Sequence, residues 1–472
     1  MDPNQALVRL LTAWLIFLTT LMGGCAGSLT SQISRSIGHA TDYLADRQSH
    51  DGAWRSEVYK DMEDGVSLTP TVCKALMFGG TNQRARKSAE LGMQYVVGLA
   101  DASGPKVPLA YPVYDGAAAA LLLIRAGQGQ SQACQSFLRL LRQHQLGSEA
   151  GWAPKDPQFG GWGYSTAIPY KPRRMELWNA ASDSNLSSTL FALGALSRAT
   201  SPDDPAVQAG LEFVLRCQNY DSGDLAFDDG GFFASPTFGP LNKAGGAGTD
   251  RQGRTRYVSY GSATADGMRC LLRAGYPPDH PRVAAARAWL EKNFSAQEMP
   301  GKFPNELEIE RDSLYYYWCW SLAHAMNDFE QAGGLSSLNW AEPMARELLA
   351  RQLDSGCWKN QATASREDDP LVATPFAMAA LSLARQKLVG KGGAPTRASS
   401  PPANPRPSSR PGSPSSGPVD EPPASSGSPP STGPDEPSAP SSSGGCWKCA
   451  AGVRSCRDGV ARPAGSSRPQ TG

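Results

Sequence analysis

Three clusters of carboxylates in this sequence have the composition of an acid–base or cation-binding site. Asp64 ends the run at residues 61–64 and Asp369 ends the run at residues 366–369, each directly before an apolar segment, while Asp229 precedes two glycines. Crowding and burial raise the pKa of one carboxyl in such a cluster, so that it can donate a proton. These three are therefore candidate catalytic residues. The alternative is structural, since acids before helices cap free N–H groups and Asp side chains stabilise turns.

A second group of candidate site residues is aromatic. Residues 315–320 contain three Tyr and two Trp, and Tyr316 and Trp320 share a helix face at positions i and i+4. Aromatic faces stabilise cations, line apolar cavities or fill a core. We expect Tyr316 and Trp320 to bind a ligand if the centre of the fold is hollow, and to form core if the centre is filled.

The elements that must position these residues come from a repeat. A Gln-x3-Gly-x-Trp pattern starts at Gln48 and again at Gln352, with partial copies between them. An amphipathic segment ends at each copy, and an apolar segment rich in Ala and Leu follows it. The apolar segments are residues 65–79, 115–126, 185–199, 262–274, 313–326 and 371–384. Alternating amphipathic and apolar helices predict an all-α fold, an (α/α)6 toroid of six helix pairs.

The three residues of the repeat have physical roles in such a ring. The Gln amide can satisfy backbone groups at the end of the next helix, and the Trp ring can pack over it and exclude water. The Gly between them allows a tight turn.

Composition divides the chain into four parts. Residues 391–445 contain 15 Pro and 15 Ser and no Leu, Ile, Met, Phe, Tyr or Trp, so they cannot bury enough apolar surface to fold. The sequence therefore predicts a signal peptide at 1–25, the toroid at 26–390, a disordered linker at 391–445 and a short tail at 446–472. The tail contains Cys446, Cys449 and Cys456, whose role the spacing does not decide.

The N-terminus has the pattern of an export signal. An uncharged stretch at residues 10–24 is too short to span a bilayer comfortably and ends in two glycines followed by Cys25. Small residues before a Cys resemble a bacterial lipobox, in which the Cys is lipidated and becomes the mature N-terminus. We expect Cys25 to anchor the protein to a membrane of the bacterial cell envelope. The alternatives are an ordinary secretory signal and a short anchor helix.

The Gln-x3-Gly-x-Trp pattern resembles the repeat of squalene–hopene cyclases, and the predicted toroid is similar to that of protein prenyltransferase β subunits. Over about residues 38–385 the chain resembles bacterial envelope proteins with prenyltransferase/squalene-oxidase repeats. The blocks that carry this resemblance are residues 228–233, 243–245, 259–264, 279–290, 314–318 and 369–374. The resemblance implies a central cavity that engages an isoprenoid, and Tyr260 in the third block joins the ligand-binding candidates.

The resemblance does not extend to the catalytic motifs of these families. Squalene–hopene cyclases donate a proton from Asp-x-Asp-Asp, whereas the similar position at residues 183–186 contains one carboxylate. Prenyltransferases hold zinc with Asp, Cys and His, and their Asp-x-Cys pair does not occur here. His324 is expected to be a core or cavity histidine. We predict no metal site and no cofactor, and the sequence does not decide whether the protein is an enzyme.

The leading interpretation is an exported, lipid-anchored toroid that binds an isoprenoid or other apolar small molecule in its central cavity. We expect the cavity to open where the loop at residues 221–258 meets the starts of the inner helices, because the acids before those helices gather on one face. The alternative is a non-catalytic scaffold that binds envelope proteins through the toroid and the tail. The net charge of +1 gives no reason to expect a nucleic-acid partner.

Overall fold

The computed structural model describes residues 27–80, 82–179 and 182–392. Within these ranges the α-helices are α1 (Leu29–Asp46), α2 (Thr69–Gly79), α3 (Gln83–Gly98), α4 (Pro112–Arg125), α5 (Gln132–Gln143), α6 (Leu186–Ala199), α7 (Pro205–Arg216), α8 (Gly261–Arg273), α9 (Pro281–Asn293), α10 (Glu308–Asp312), α11 (Tyr315–Gln331), α12 (Ala341–Arg351) and α13 (Pro370–Gly392). Two short strands, β1 (Gly246–Thr249) and β2 (Thr255–Tyr257), pair antiparallel.

Six helices form an inner ring. Along the chain α2, α4, α6, α8, α11 and α13 each pack on the next, and α13 packs back on α2, which closes the ring. Outside it, α3 packs on α2, α5 on α4, α7 on α6, α9 on α8, and both α12 and α1 pack on α13. This arrangement confirms the predicted (α/α)6 toroid.

The composition of the helices explains their layer. On outer helix α5, Ala133, Phe137 and Leu141 are buried toward the ring while Arg139 is exposed, the pattern of a helix with one apolar face. Inner helix α6 is buried on nearly every side from Leu186 to Leu196, because it has neighbours all round. A core that runs continuously through all six pairs follows from this alternation.

The Gln of the repeat joins consecutive pairs as predicted. Gln48 Nε2 donates to the carbonyl of Gly52 in its own turn, at 2.9 Å, and to the carbonyl of Ser88 in the next outer helix, at 2.8 Å. Trp54 is fully buried, and its Nε1 donates to the carbonyl of Leu44, at 2.6 Å. One amide and one indole therefore connect the turn to the end of α1 and to the second turn of α3.

The same pair of amide hydrogen bonds recurs around the ring, from Gln145 to Gly160 and Ala206, from Gln218 to Gly230 and Arg282, and from Gln352 to Gly356 and Ser36. The last copy joins the final pair of helices to the first. Gly356 has φ +89°, and a Cβ there would lie 2.6 Å from the carbonyl oxygen of His39, so the close approach of turn and helix requires glycine.

A further connection at the same turns was not predicted. The backbone N–H of Trp54 donates to Thr69 Oγ1 of the following inner helix, at 3.0 Å. Equivalent hydrogen bonds join Trp162 to Thr189, Phe232 to Thr264, and Trp358 to Thr374. These threonines attach each turn to the inner ring, as the glutamines attach it to the outer ring.

Three further expectations from the sequence can be compared with the structure. The β1–β2 hairpin lies inside the loop at residues 221–258, where no strand was expected. Six cysteines of the described chain are buried and free, as expected for Ala-rich helices. The lipid-anchor residue Cys25, the tail cysteines and the linker beyond residue 392 lie outside the described residues, and none of the described helices is long and apolar enough to cross a membrane.

Candidate functional site

The inner ring encloses a cavity of about 360 Å³. Apart from Pro70 and Thr71 at the start of α2, its lining residues lie from the middle of the inner helices to their C-terminal ends, where Gln331 and Gln386 are exposed at the mouth. Part of its wall is aromatic: Phe191 stacks on Trp320 with ring centroids 5.6 Å apart, and Phe376 meets Trp320 at 5.4 Å. Phe78, Leu121 and Leu190 extend this apolar surface.

The same cavity carries a strong excess of positive charge. Its lining contains Lys74, Arg125, Arg198, Arg269 and Arg273, against a single carboxylate, Asp328. Arg125 and Arg198 are exposed near the mouth, whereas Arg269 is buried and Lys74 and Arg273 are half-buried. Basic side chains inside an apolar ring are costly unless something compensates their charge.

The compensation available within the protein is partial. Asp328 Oδ2 lies 3.5 Å from Arg269 Nε and 3.6 Å from Arg273 Nη2. Lys74 makes no hydrogen bond or ion pair with any described residue, and its Nζ lies 5.7 Å from the centroid of the Trp320 ring. Burial and the nearby guanidinium groups lower the pKa of Lys74 to about 7.

Two other side chains among the cations at the C-terminal end of this cavity, its basic end, have pKa values below their usual range for the same reason. Burial and the charge of Arg269 lower the pKa of Arg273 to about 9. Burial and the surrounding cations push the pKa of His324 well below its usual value, so its imidazole is neutral. His324 Nε2, Arg269 Nη1 and Arg273 Nε are buried without a hydrogen-bond partner.

A smaller chamber of about 70 Å³ lies at the starts of the inner helices. Phe191 and Phe376 line both cavities and mark the boundary between them. Asp115 and Glu367 line the small chamber, and burial raises their pKa values, to about 7 and about 8 respectively. Glu367 also accepts hydrogen bonds from the N–H groups of Tyr316 and Tyr317 at the start of α11. The two ends of the ring therefore have opposite chemistry, acidic at the start of the inner helices and basic at their ends.

The three carboxylates proposed from the sequence lie outside both cavities. Asp64 accepts a hydrogen bond from the N–H of Val66, at 2.9 Å. Asp369 accepts one from the N–H of Leu371, at 2.8 Å, and another from the hydroxyl of Ser56. Both are therefore engaged in the local turns and caps that were the alternative interpretation.

Asp229 is likewise engaged in the long loop. Its carboxylate accepts hydrogen bonds from the Ser259 hydroxyl at 2.7 Å and the Trp289 Nε1 at 3.1 Å, and from the N–H of Gly231. It joins the loop at residues 221–258 to outer helix α9. The structure thus differs from the expectation that these acids form the rim of the main cavity: that cavity opens at the C-terminal ends of the inner helices.

The aromatic candidates are separated by the structure. Trp320 lines the main cavity. Tyr316 packs edge-on against Tyr315, with centroids 5.2 Å apart, and its hydroxyl donates to the carbonyl of Lys359 at 3.3 Å. Tyr260 is buried at the start of α8, next to the ring of Phe303. Neither Tyr316 nor Tyr260 lines either of the two central cavities.

The basic residues were missed in the sequence, although a signal was present. Lys74 and Arg269 interrupt segments that otherwise read as fully buried inner helices. A charge at such a position must find a partner, reach water or face a cavity. No group of three metal-ligating side chains occurs among the described residues.

No family model matches the chain, and no curated protein matches it. Its fold is similar to that of the type II terpene cyclase MstE from Scytonema, with 12% identity, a TM-score of 0.48 and coverage of 76% of this chain and 99% of that one. It is also similar to the GH76A α-1,6-mannanase from Salegentibacter sp. HEL1_6, with 9% identity, a TM-score of 0.47 and coverage of 75% and 99%. At these identities the likeness concerns the fold alone.

Proposed function

We propose that the protein binds a small molecule with an apolar body, an isoprenoid being the first candidate, in the central cavity of its toroid. The observation that carries the proposal is the closed inner ring around about 360 Å³ of space with an aromatic wall. Small-molecule sites are concave, mostly apolar and furnished with a few polar groups, and their volumes begin at about 300 Å³. Burying a ligand against Phe191, Trp320 and Phe376 gains roughly 25 cal/mol for each Å² of apolar surface removed from water.

We propose binding and no reaction, because the candidate acids lie away from the main cavity. Asp64, Asp229 and Asp369 are occupied by hydrogen bonds in turns and caps, outside the cavities. The carboxyls with raised pKa values, Asp115 and Glu367, line the smaller chamber beyond Phe191 and Phe376. The main cavity therefore has no carboxyl with a raised pKa among its described lining residues.

We also propose that the protein acts outside the cytoplasm, anchored through lipidated Cys25. The uncharged stretch at residues 10–24 followed by Cys25 supports this location. A membrane anchor would hold the toroid close to a source of apolar molecules.

Two experiments test the binding. Mass spectrometry of an organic extract from the purified mature protein should reveal a retained apolar molecule. In the second, Trp320→Ala should weaken binding of a fluorescent isoprenoid analogue by more than about 1 kcal/mol, while the matched change Tyr316→Ala on the same helix leaves affinity unchanged. If no analogue binds and Trp320→Ala only destabilises the protein, by about 3–5 kcal/mol, the scaffold interpretation replaces this one.

A further inference from the structure

The basic end of the central cavity has more positive charge than its own protein partners neutralise. Five cationic side chains face a space that contains one carboxylate, Asp328. The other acceptors are neutral: Arg198 donates to the carbonyl of Gly194 and Arg273 to that of Leu190. A carbonyl satisfies an N–H group but leaves the charge of the guanidinium uncompensated.

Two of these side chains also have donors without acceptors. Arg269 is 2% exposed, and its Nη1 has no hydrogen-bond partner, although it lies 4.0 Å from Asp266 Oδ1. Arg273 Nε and His324 Nε2 are unpartnered as well, and all three residues line the cavity. A buried donor left unpaired loses the hydrogen bonds it made to water, and the loss is larger when it is charged, so an acceptor from outside the protein is favoured.

Helix electrostatics account for only part of this cluster. Arg125, Arg198 and Arg273 occupy the last turns of α4, α6 and α8, where cations complement the helix dipole. Lys74 lies in the middle of α2, and Arg269 lies one turn before the end of α8. The dipole gives no reason for a cation at either of these two positions.

We propose that the basic end of the cavity is an anion subsite, and that the ligand is an amphiphile whose phosphate or diphosphate group contacts Lys74, Arg269 and Arg273. The inference rests on the proposed function, because the aromatic wall supplies the site for the apolar part. This excess of positive charge favours a multiply charged head group over a carboxylate, which would supply a single negative charge. Arginine forks match phosphate oxygens in pairs, and Arg125 and Arg198 at the mouth attract such an anion from solution.

The positions of the aromatic and basic side chains along the inner helices indicate how such a ligand would lie in the cavity. Phe191, Trp320 and Phe376 lie toward the middle of the inner helices, and the exposed cations lie at their ends. The apolar body therefore packs on the aromatic wall, and the anionic group lies beside Trp320, where Lys74 Nζ and the Arg269 guanidinium approach that ring at 5.7 and 4.5 Å. The contact between Arg269 and Trp320 marks the transition between the two environments.

Isothermal titration calorimetry with matched probes tests the inference: decyl phosphate, decanol, inorganic phosphate and inorganic diphosphate. Decyl phosphate should bind at least 10-fold more tightly than decanol. Lys74→Met, which keeps the length of the side chain but removes its charge, should reduce that preference and leave decanol binding unchanged, because Arg269 and Arg273 still contact the head group. Lys74→Arg should retain the preference, and Arg86→Gln, an exposed change on outer helix α3, should have no effect. Circular dichroism of each variant verifies the fold.

The outcomes separate this inference from the proposed function. Equal binding of decanol and decyl phosphate would overturn the anion subsite and leave apolar binding intact. Binding of inorganic diphosphate without either decyl compound would support the subsite and contradict apolar binding. If none of the four probes binds, both proposals fail.

Discussion

The guanidinium carbon of Arg269 lies 4.5 Å from the centroid of the Trp320 ring. This cation–π contact joins the aromatic wall of the central cavity to its basic end, and it lies beside Asp328, which Arg269 approaches at 3.5 Å. One side chain therefore takes part in both environments of the cavity. It is also the member of the cluster least exposed to water, at 2%.

Two glycines with positive φ, Gly333 after α11 and Gly356 in a repeat turn, give a stability prediction that separates backbone strain from close packing. Gly333→Ala should destabilise the protein by about 1–2 kcal/mol, because φ is +90° there but a Cβ meets nothing within 4 Å. Gly356→Ala has the same backbone cost at φ +89° and in addition places its Cβ 2.6 Å from the His39 carbonyl oxygen. We expect at least twice the loss for Gly356→Ala in urea unfolding, and equal losses would refute the close approach.

Lys74 predicts a dependence of stability on alkaline pH. Its pKa is about 7 in the folded protein, against an ordinary value of 10.5 for an exposed lysine. Between these values the unfolded state binds more protons, so the free energy of unfolding rises with pH. Lys74→Met should remove about 2 kcal/mol or more of that rise in urea titrations of the ligand-free protein. Lys87→Met, an exposed change on α3, is the control. Parallel pH profiles for wild type and Lys74→Met would contradict the prediction.

Asp115 and Glu367 predict the opposite slope at lower pH. Their folded pKa values of about 7 and 8 exceed the ordinary values of 3.8 and 4.5 for exposed Asp and Glu, so between these values the folded state binds more protons. The stabilisation is fully present below the unfolded values and is lost as pH rises through the folded ones. The pair Asp115→Asn and Glu367→Gln should reduce this loss by about 2–4 kcal/mol between pH 4 and 8. Exposed Asp203→Asn should leave the profile unchanged.

The anchor can be tested in cells without reference to the ligand. Metabolic labelling with a fatty-acid probe should mark the wild-type protein and be lost in Cys25→Ser, because the thiol of Cys25 is the proposed site of acylation. Cys446→Ser, which removes a thiol of the tail, should keep the label. Labelling of Cys25→Ser at the wild-type level would exclude the lipoprotein interpretation.

The ring itself could be predicted because its determinants repeat along the chain. The spacing of Gln48, Gly52 and Trp54 implied a shared turn with the Gln amide bound to backbone groups at the end of the next helix. In the structure Gln48 donates to a carbonyl of its own turn and to that of Ser88, in the second turn of the next outer helix. The threonine at Thr69 was not identified, although it recurs as well. Its role depends on the distance between a turn and the following inner helix, which no local pattern reports.

The sequence did not reveal at which end of the inner helices the main cavity opens. The starts of the inner helices are filled by large side chains such as Tyr114 and Tyr317, which leaves only the small chamber there. Which half of a ring is filled depends on six helices converging, not on any one of them. Lys74 and Arg269 belong to different helices, far apart in sequence, and their common charge becomes evident only when α2 and α8 face the same space.

The hydrogen bond from Gln352 to the carbonyl of Ser36 has a consequence for how the protein unfolds. In an open array of repeats the terminal units each lack one neighbour, so they fray first and unfolding proceeds in steps. Here the first and last pairs are neighbours, and every pair is supported on both sides. The toroid therefore has no terminal pair that is less supported than the rest. Unfolding of any one pair would remove a neighbour from the pairs on both sides of it. We therefore expect a single cooperative transition, with the same midpoint for probes placed in any of the six pairs.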